Sequence, residues 1–118
     1  MKFFQLASII AGLSFLQPTV ADQYISCGMG SISRNSILSV AKDMWNMSLG
    51  SCPSYQESFP AEYRQSSEGM TRRFPITYNS QKWTSGGYYY IVESSQNRKF
   101  IRLHYYGITT QECYVTGV

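Results

Sequence analysis

Residues Met1 to Ala21 carry the pattern of a secretory signal peptide, and that leader sets the conditions under which everything after it must fold. Lys2 supplies the positive start, Phe3 to Leu16 the apolar run, and Thr19-Val20-Ala21 the small residues that signal peptidase accepts. The run is shorter than the roughly 20 apolar residues a membrane span needs, and no second hydrophobic segment follows it, so no membrane anchor is expected. Removing the leader takes the chain from 118 residues to 97, a single exported domain over residues 22–118. A domain of that size buries only about 60–65% of the surface its unfolded chain exposes. Its core is marginal, and an oxidising compartment invites a covalent staple.

The expected mature chain holds three cysteines, an odd number. Cys27 and Cys113 lie near its two ends, so pairing them would close almost the whole domain into a loop, worth about 2–4 kcal/mol. This is the favoured pairing. Cys52, in Gly50-Ser51-Cys52-Pro53, is then a free thiol; the alternative is that it pairs with one of the other two. Without a CxxC and with one histidine, no metal site is expected.

Ile37, Leu38, Ala41, Met44, Trp45 and Ser48 fall at helical spacing and predict a helix over Arg34 to Met47, capped by Ser33 or Asn35 and ended by Leu49-Gly50. Ser51 to Arg73 is polar and rich in turn formers, which reads as a long loop with one short strand. Beyond it the period changes. Strands are expected at Phe74–Tyr78, at Tyr88–Val92 after Gly86-Gly87, at Phe100–Tyr106 and at Cys113–Val115, with a turn over Ser94–Asn97. In the third, Ile101, Leu103 and Tyr105 face one way and Arg102, His104 and Tyr106 the other. One helix followed by a meandering antiparallel sheet is an α+β domain.

Without Lys2, nine basic residues stand against seven acidic ones, too mild an excess for a dedicated nucleic-acid binder. All ten tyrosines lie beyond the leader; core and cross-strand packing accounts for most of them, with base stacking as the functional alternative. His104 is the one side chain that titrates near neutrality without help. General acid–base cleavage of a phosphodiester needs a second proton carrier, and neither neighbour two places along its strand is acidic. Arg72-Arg73 is the sharpest basic pair, a solvated strand entrance or a phosphate contact. Asn46-Met47-Ser48 is a glycosylation sequon whose occupancy is set in question by its place on the predicted helix.

The order of the pieces resembles the microbial guanyl-specific ribonucleases of the T1 type: an N-terminal cysteine, one helix, Phe59-Pro60-Ala61-Glu62-Tyr63, Glu68-Gly69, Phe74-Pro75-Ile76, Leu103-His104-Tyr105-Tyr106-Gly107 and Cys113. Position by position, most of that family's active site is replaced. Phe59 stands for its tyrosine, Ala61 for a catalytic histidine, Arg73 for the catalytic glutamate and Tyr89 for the phosphate-binding arginine; only His104 is retained. Tyr63 and Glu68 resemble the end of its guanine-recognition loop, with one extra residue between them. An arginine cannot accept the proton of a 2′-hydroxyl, so the resemblance implies a fold without hydrolysis.

Closer still, the leader followed by Tyr24-x-x-Cys27, Trp83-Thr84-Ser85-Gly86-Gly87, Tyr89-Tyr90-Ile91-Val92 and Cys113-Tyr114-Val115 resemble the RNase-like effectors of cereal powdery mildew fungi. That family starts with an aromatic residue one place nearer its cysteine than Tyr24 is. The resemblance implies a ribonuclease T1-like fold with a Cys27–Cys113 bridge, no cofactor, and secretion followed by entry into the host plant cell. There the protein would bind a host protein, or RNA more weakly, and be open to an intracellular immune receptor. For RNA the candidate contacts are Arg72, Arg73, Arg102 and His104 to phosphates, with Tyr63 and Tyr106 stacking on bases. Competing expectations are an active secreted ribonuclease built on His104 and Glu68, and a structural or defensive protein that stays outside the cell.

Overall fold

A computed structural model describes residues 22–54 and 56–115; the leader assigned to residues 1–21 lies outside them. The first described element is a hairpin, β1 (Tyr24–Cys27) and β2 (Gly30–Ser33). Gly28 turns it at φ 61°, and a Cβ there would come within 2.2 Å of the Tyr105 ring, so only glycine fits.

Ser33 then caps α1 (Arg34–Trp45), its hydroxyl accepting from the Ser36 N–H at 3.2 Å. Ile37, Val40, Ala41 and Met44 are the buried positions, with Leu38 and Trp45 half-buried beside them. The helix stops before the Met47 expected from periodicity. Asn46 leaves helical geometry while its N–H still bonds back to Asp43 and Met44, which puts Ser48 outside the helix and exposed.

The region expected as a loop is mostly strand. It contains β3 (Cys52–Pro53) paired with β4 (Ser58–Phe59), then β5 (Ala61–Ser66), and the first half of β6 (Gly69–Ile76). β5 is a polar edge strand, and its bulge breaks the alternation that would have announced it.

β6 starts at Gly69 rather than Phe74 and gives way to a turn at Thr77–Ser80. The next strand, β7 (Tyr90–Ser95), begins two residues later than expected and takes in the first two residues of the predicted turn, because Ser94 and Ser95 are buried in the ladder. The turn moves on to Gln96–Lys99, with Arg98 at φ 61°. β8 (Ile101–Tyr106) matches the expected strand within a residue, and β9 (Thr110–Tyr114) extends the predicted fourth strand backwards.

The main sheet is antiparallel throughout, in the order β9-β8-β7-β6-β5. Registry puts Phe74, Ile76, Val92, Ile101 and Leu103 on the face that meets α1 and the first hairpin, all with 1% exposure or less. Phe59, Phe74, Trp83 and Tyr88 add an edge-to-face aromatic cluster. Cys27 and Cys113 form the disulfide that joins the two ends, and Cys52 is a half-buried free thiol. The described residues are therefore α+β, with one helix on an antiparallel sheet and the Cys27–Cys113 bridge joining the two ends.

Candidate functional site

Strand alternation sends Thr71, Arg73, Glu93, Arg102, His104, Tyr106 and Glu112 to the sheet face away from the helix. The bulge in β5 adds two more. Between the pairs Glu62↔Arg72 and Gln65↔Met70, both Tyr63 and Arg64 stand opposite Thr71 alone, so consecutive residues reach the same face. Tyr63 lies edge-on to the His104 ring at 5.7 Å, while Arg64 reaches Glu93.

Glu93 is the centre of this arrangement. It has no exposure to solvent. Its Oε2 accepts from Arg64 Nε at 2.7 Å and Thr71 Oγ1 at 2.8 Å. Its Oε1 accepts from Arg64 Nη2 at 2.7 Å and lies 2.8 Å from His104 Nε2. Both lone pairs of each oxygen are thereby engaged. Burial alone would push this carboxyl up; hydrogen bonds from His104, Arg64 and Thr71 together with the Arg64 charge outweigh it and hold Glu93 at about 2. The same bonds, with one to Glu112 at 2.9 Å, hold the Arg64 guanidinium further above its ordinary range.

The remaining cations on this face are also committed. Arg73 Nη2 meets Glu57 Oε1 at 2.6 Å and its guanidinium lies 4.9 Å from the centre of the Tyr63 ring. Arg102 is sandwiched between Phe100 and Tyr114 at 4.0 and 4.1 Å, with Nε 3.6 Å from Glu112. Arg64, Arg73 and Arg102 thus stand against Glu57, Glu93 and Glu112, a locally neutral surface.

Two hollows open here and share Tyr106. The smaller, about 250 Å³, is lined by Tyr63, His104, Tyr106 and Glu112. The larger, about 780 Å³, runs between Pro53, Ser54, Gln56 and Glu57 on one side and Gly86–Tyr88 on the other, over Arg73, Ile91 and Tyr106. A cleft of that volume, with Tyr88 and Tyr106 among its walls and a few polar groups, has the make-up of a binding site. Burial pushes the Tyr106 phenol up, neighbouring Tyr63 adds to the shift and Arg73 opposes it.

Of the residues selected from sequence, Tyr63, Arg73, His104 and Tyr106 come together. Arg72 does not join Arg73. One strand step carries it to the helix face, where Nη1 donates to the carbonyls of Met44 and Met47 and the guanidinium covers Trp45 at 4.3 Å. The basic pair of the sequence is two residues with separate tasks. Arg102 stays on the face but is spent on its aromatic sandwich. Glu68 sits in the β5–β6 turn and accepts from Asn97 at 2.9 Å, so it supplies no carboxylate to His104. That carboxylate comes from the next strand. Glu93 escapes a reading confined to His104's own strand, because registry between strands brings the two together; the sequence signal for it is an acidic residue after Tyr90-Ile91-Val92.

Comparison of the chain with protein-family models, with curated proteins and with solved structures gave no match.

Proposed function

We propose that this protein is an exported, non-hydrolytic binding protein with a ribonuclease-like architecture, acting as an effector in the host plant cell and open to an intracellular immune receptor there. The observation that carries the non-hydrolytic part is the saturation of Glu93. A base for a 2′-hydroxyl needs a free lone pair and a proton affinity near the working pH. Glu93 has neither: four contacts occupy its oxygens and it is held at about 2. Arg73 stands where the resemblance expects a base and is paired with Glu57.

Binding fits the same face. Tyr63 and Tyr106 are partly exposed at 39% and 37%, beside a cleft of about 780 Å³. Tyrosine and arginine together make the kind of surface that protein partners use. Affinity for RNA depends on uncompensated cations, and here each arginine of the face has its carboxylate, which favours a host protein over RNA as the main partner.

The test has two arms. Oxidised protein incubated with GpN dinucleotides and with folded RNA is expected to release no product; cleavage that disappears in His104→Ala would establish the ribonuclease reading instead. The chain from Asp22, expressed in leaves of host cultivars with different resistance genes, is expected to cause cell death in one genotype. A tagged full chain found only outside infected host cells would overturn the intracellular role.

A further inference from the structure

The sequon Asn46-Met47-Ser48 is unused by the sheet face, and the structure removes the objection raised by its predicted place within the helix. α1 closes at Trp45. Asn46 is the C-cap residue, at φ −95° and ψ 1°, and its backbone N–H bonds back to Asp43 and Met44. Asn46 and Ser48 are exposed, while Met47 between them packs against the core and fixes the tripeptide in place. Ser51 N–H then donates to the Ser48 carbonyl at 3.2 Å, turning the chain away. The acceptor amide and the hydroxyl that an oligosaccharyltransferase reads are therefore both on the surface, outside the helical turns that would hide them.

We infer that Asn46 is an N-glycosylation site. The transfer forms a bond from Asn46 Nδ2 to C1 of the first N-acetylglucosamine of a lipid-diphosphate-linked oligosaccharide. The C1–O bond breaks, the lipid diphosphate leaves with the electron pair, and Nδ2 gives up one proton. The site is placed so that the sugar does not compete with the proposed binding face. Arg72, on the helix side of the sheet, donates to the Met44 and Met47 carbonyls flanking Asn46, whereas His104, Tyr63 and the large cleft lie on the opposite side. A glycan would thus cover the α1 C-terminus and leave the cleft open.

This inference rests on the export reading, and the experiment separates the two. The full chain is expressed in a eukaryotic secretory host, and a parallel chain carries a heterologous signal sequence ahead of Met1. Secreted protein is treated with peptide-N-glycosidase, which converts the attachment residue to aspartate and so identifies it by peptide mass. The expected result is a discrete mass loss on treatment, located at position 46. It should vanish in Asn46→Gln and Ser48→Ala and persist in Ser48→Thr. Secreted protein of unmodified mass from either chain overturns the site. A chain retained inside the cell, with its heterologously led counterpart secreted and glycosylated, overturns export and upholds the site.

Discussion

His104 Nε2 lies 2.8 Å from Oε1 of Glu93, a carboxylate wholly removed from solvent on the neighbouring strand. Arg64 grips both oxygens of the same carboxylate from the β5 bulge, and Thr71 completes the set. The cluster ties together β5, β6, β7 and β8. Glu93→Gln keeps the shape and removes the charge. Breaking a buried ion pair from one side costs about 3 kcal/mol or more. Urea denaturation should show that loss, and Arg64→Ala should show a similar one by leaving the carboxylate uncompensated. The double variant should cost clearly less than the two combined. Additive losses would show that the two residues do not act as a unit.

Acid should weaken the protein through the same residue. Glu93 falls from its ordinary 4.5 to about 2 on folding. A depressed folded value means the stabilisation is complete above the unfolded value and is lost as pH falls from about 5 towards 2. The amount at stake is on the order of 3 kcal/mol. Denaturation midpoints measured at pH 7, 4 and 3 should fall steeply in wild type. In Glu93→Gln the same series should be distinctly flatter; equal slopes would place the acid sensitivity elsewhere.

Patterning made some of this legible and hid the rest for identifiable reasons. The helix was readable because Ile37, Ala41 and Met44 repeat at its period, and β8 because Ile101, Leu103 and Tyr105 alternate with polar residues. The bridge was readable because Cys27 and Cys113 stand at the two ends of a short chain. β5 was invisible: its residues are polar on both faces, and the bulge gives Tyr63 and Arg64 the same orientation. Arg72 and Arg73 looked like a pair because adjacency in sequence is conspicuous, whereas adjacency in a strand means opposite faces. Glu93 met His104 through strand registry, which a single sequence does not display.

The split between Arg72 and Arg73 is directly measurable. Arg72 holds the C-terminal carbonyls of α1 and stacks on Trp45, so Arg72→Ala should cost about 1–3 kcal/mol and leave partner binding unchanged once folded. Arg73 forms a partly exposed pair with Glu57 at the cleft, an arrangement worth about 1 kcal/mol or less. Arg73→Ala should therefore melt close to wild type while weakening capture of the proposed host partner. If instead Arg72→Glu and Arg73→Glu lose RNA or protein binding equally at equal stability, both residues reach the partner and the two-face assignment fails.

Cys27 and Cys113 are 86 residues apart, so their bond removes nearly the whole chain's loop-closure freedom from the unfolded ensemble. It also fastens β1 to the edge strand β9, where Gly28 N–H donates to Gln111 Oε1 at 2.8 Å. Removing such a bridge from a small domain costs about 2–5 kcal/mol, which at this chain length lowers Tm by about 10 °C or more. Cys27→Ser and Cys113→Ser should show that drop in oxidised protein, and reduction of wild type should reproduce it. Cys52→Ser, at a half-buried thiol outside the bridge, should change Tm little. Were Cys27→Ser and Cys113→Ser to melt with wild type, stabilisation by loop closure would be refuted.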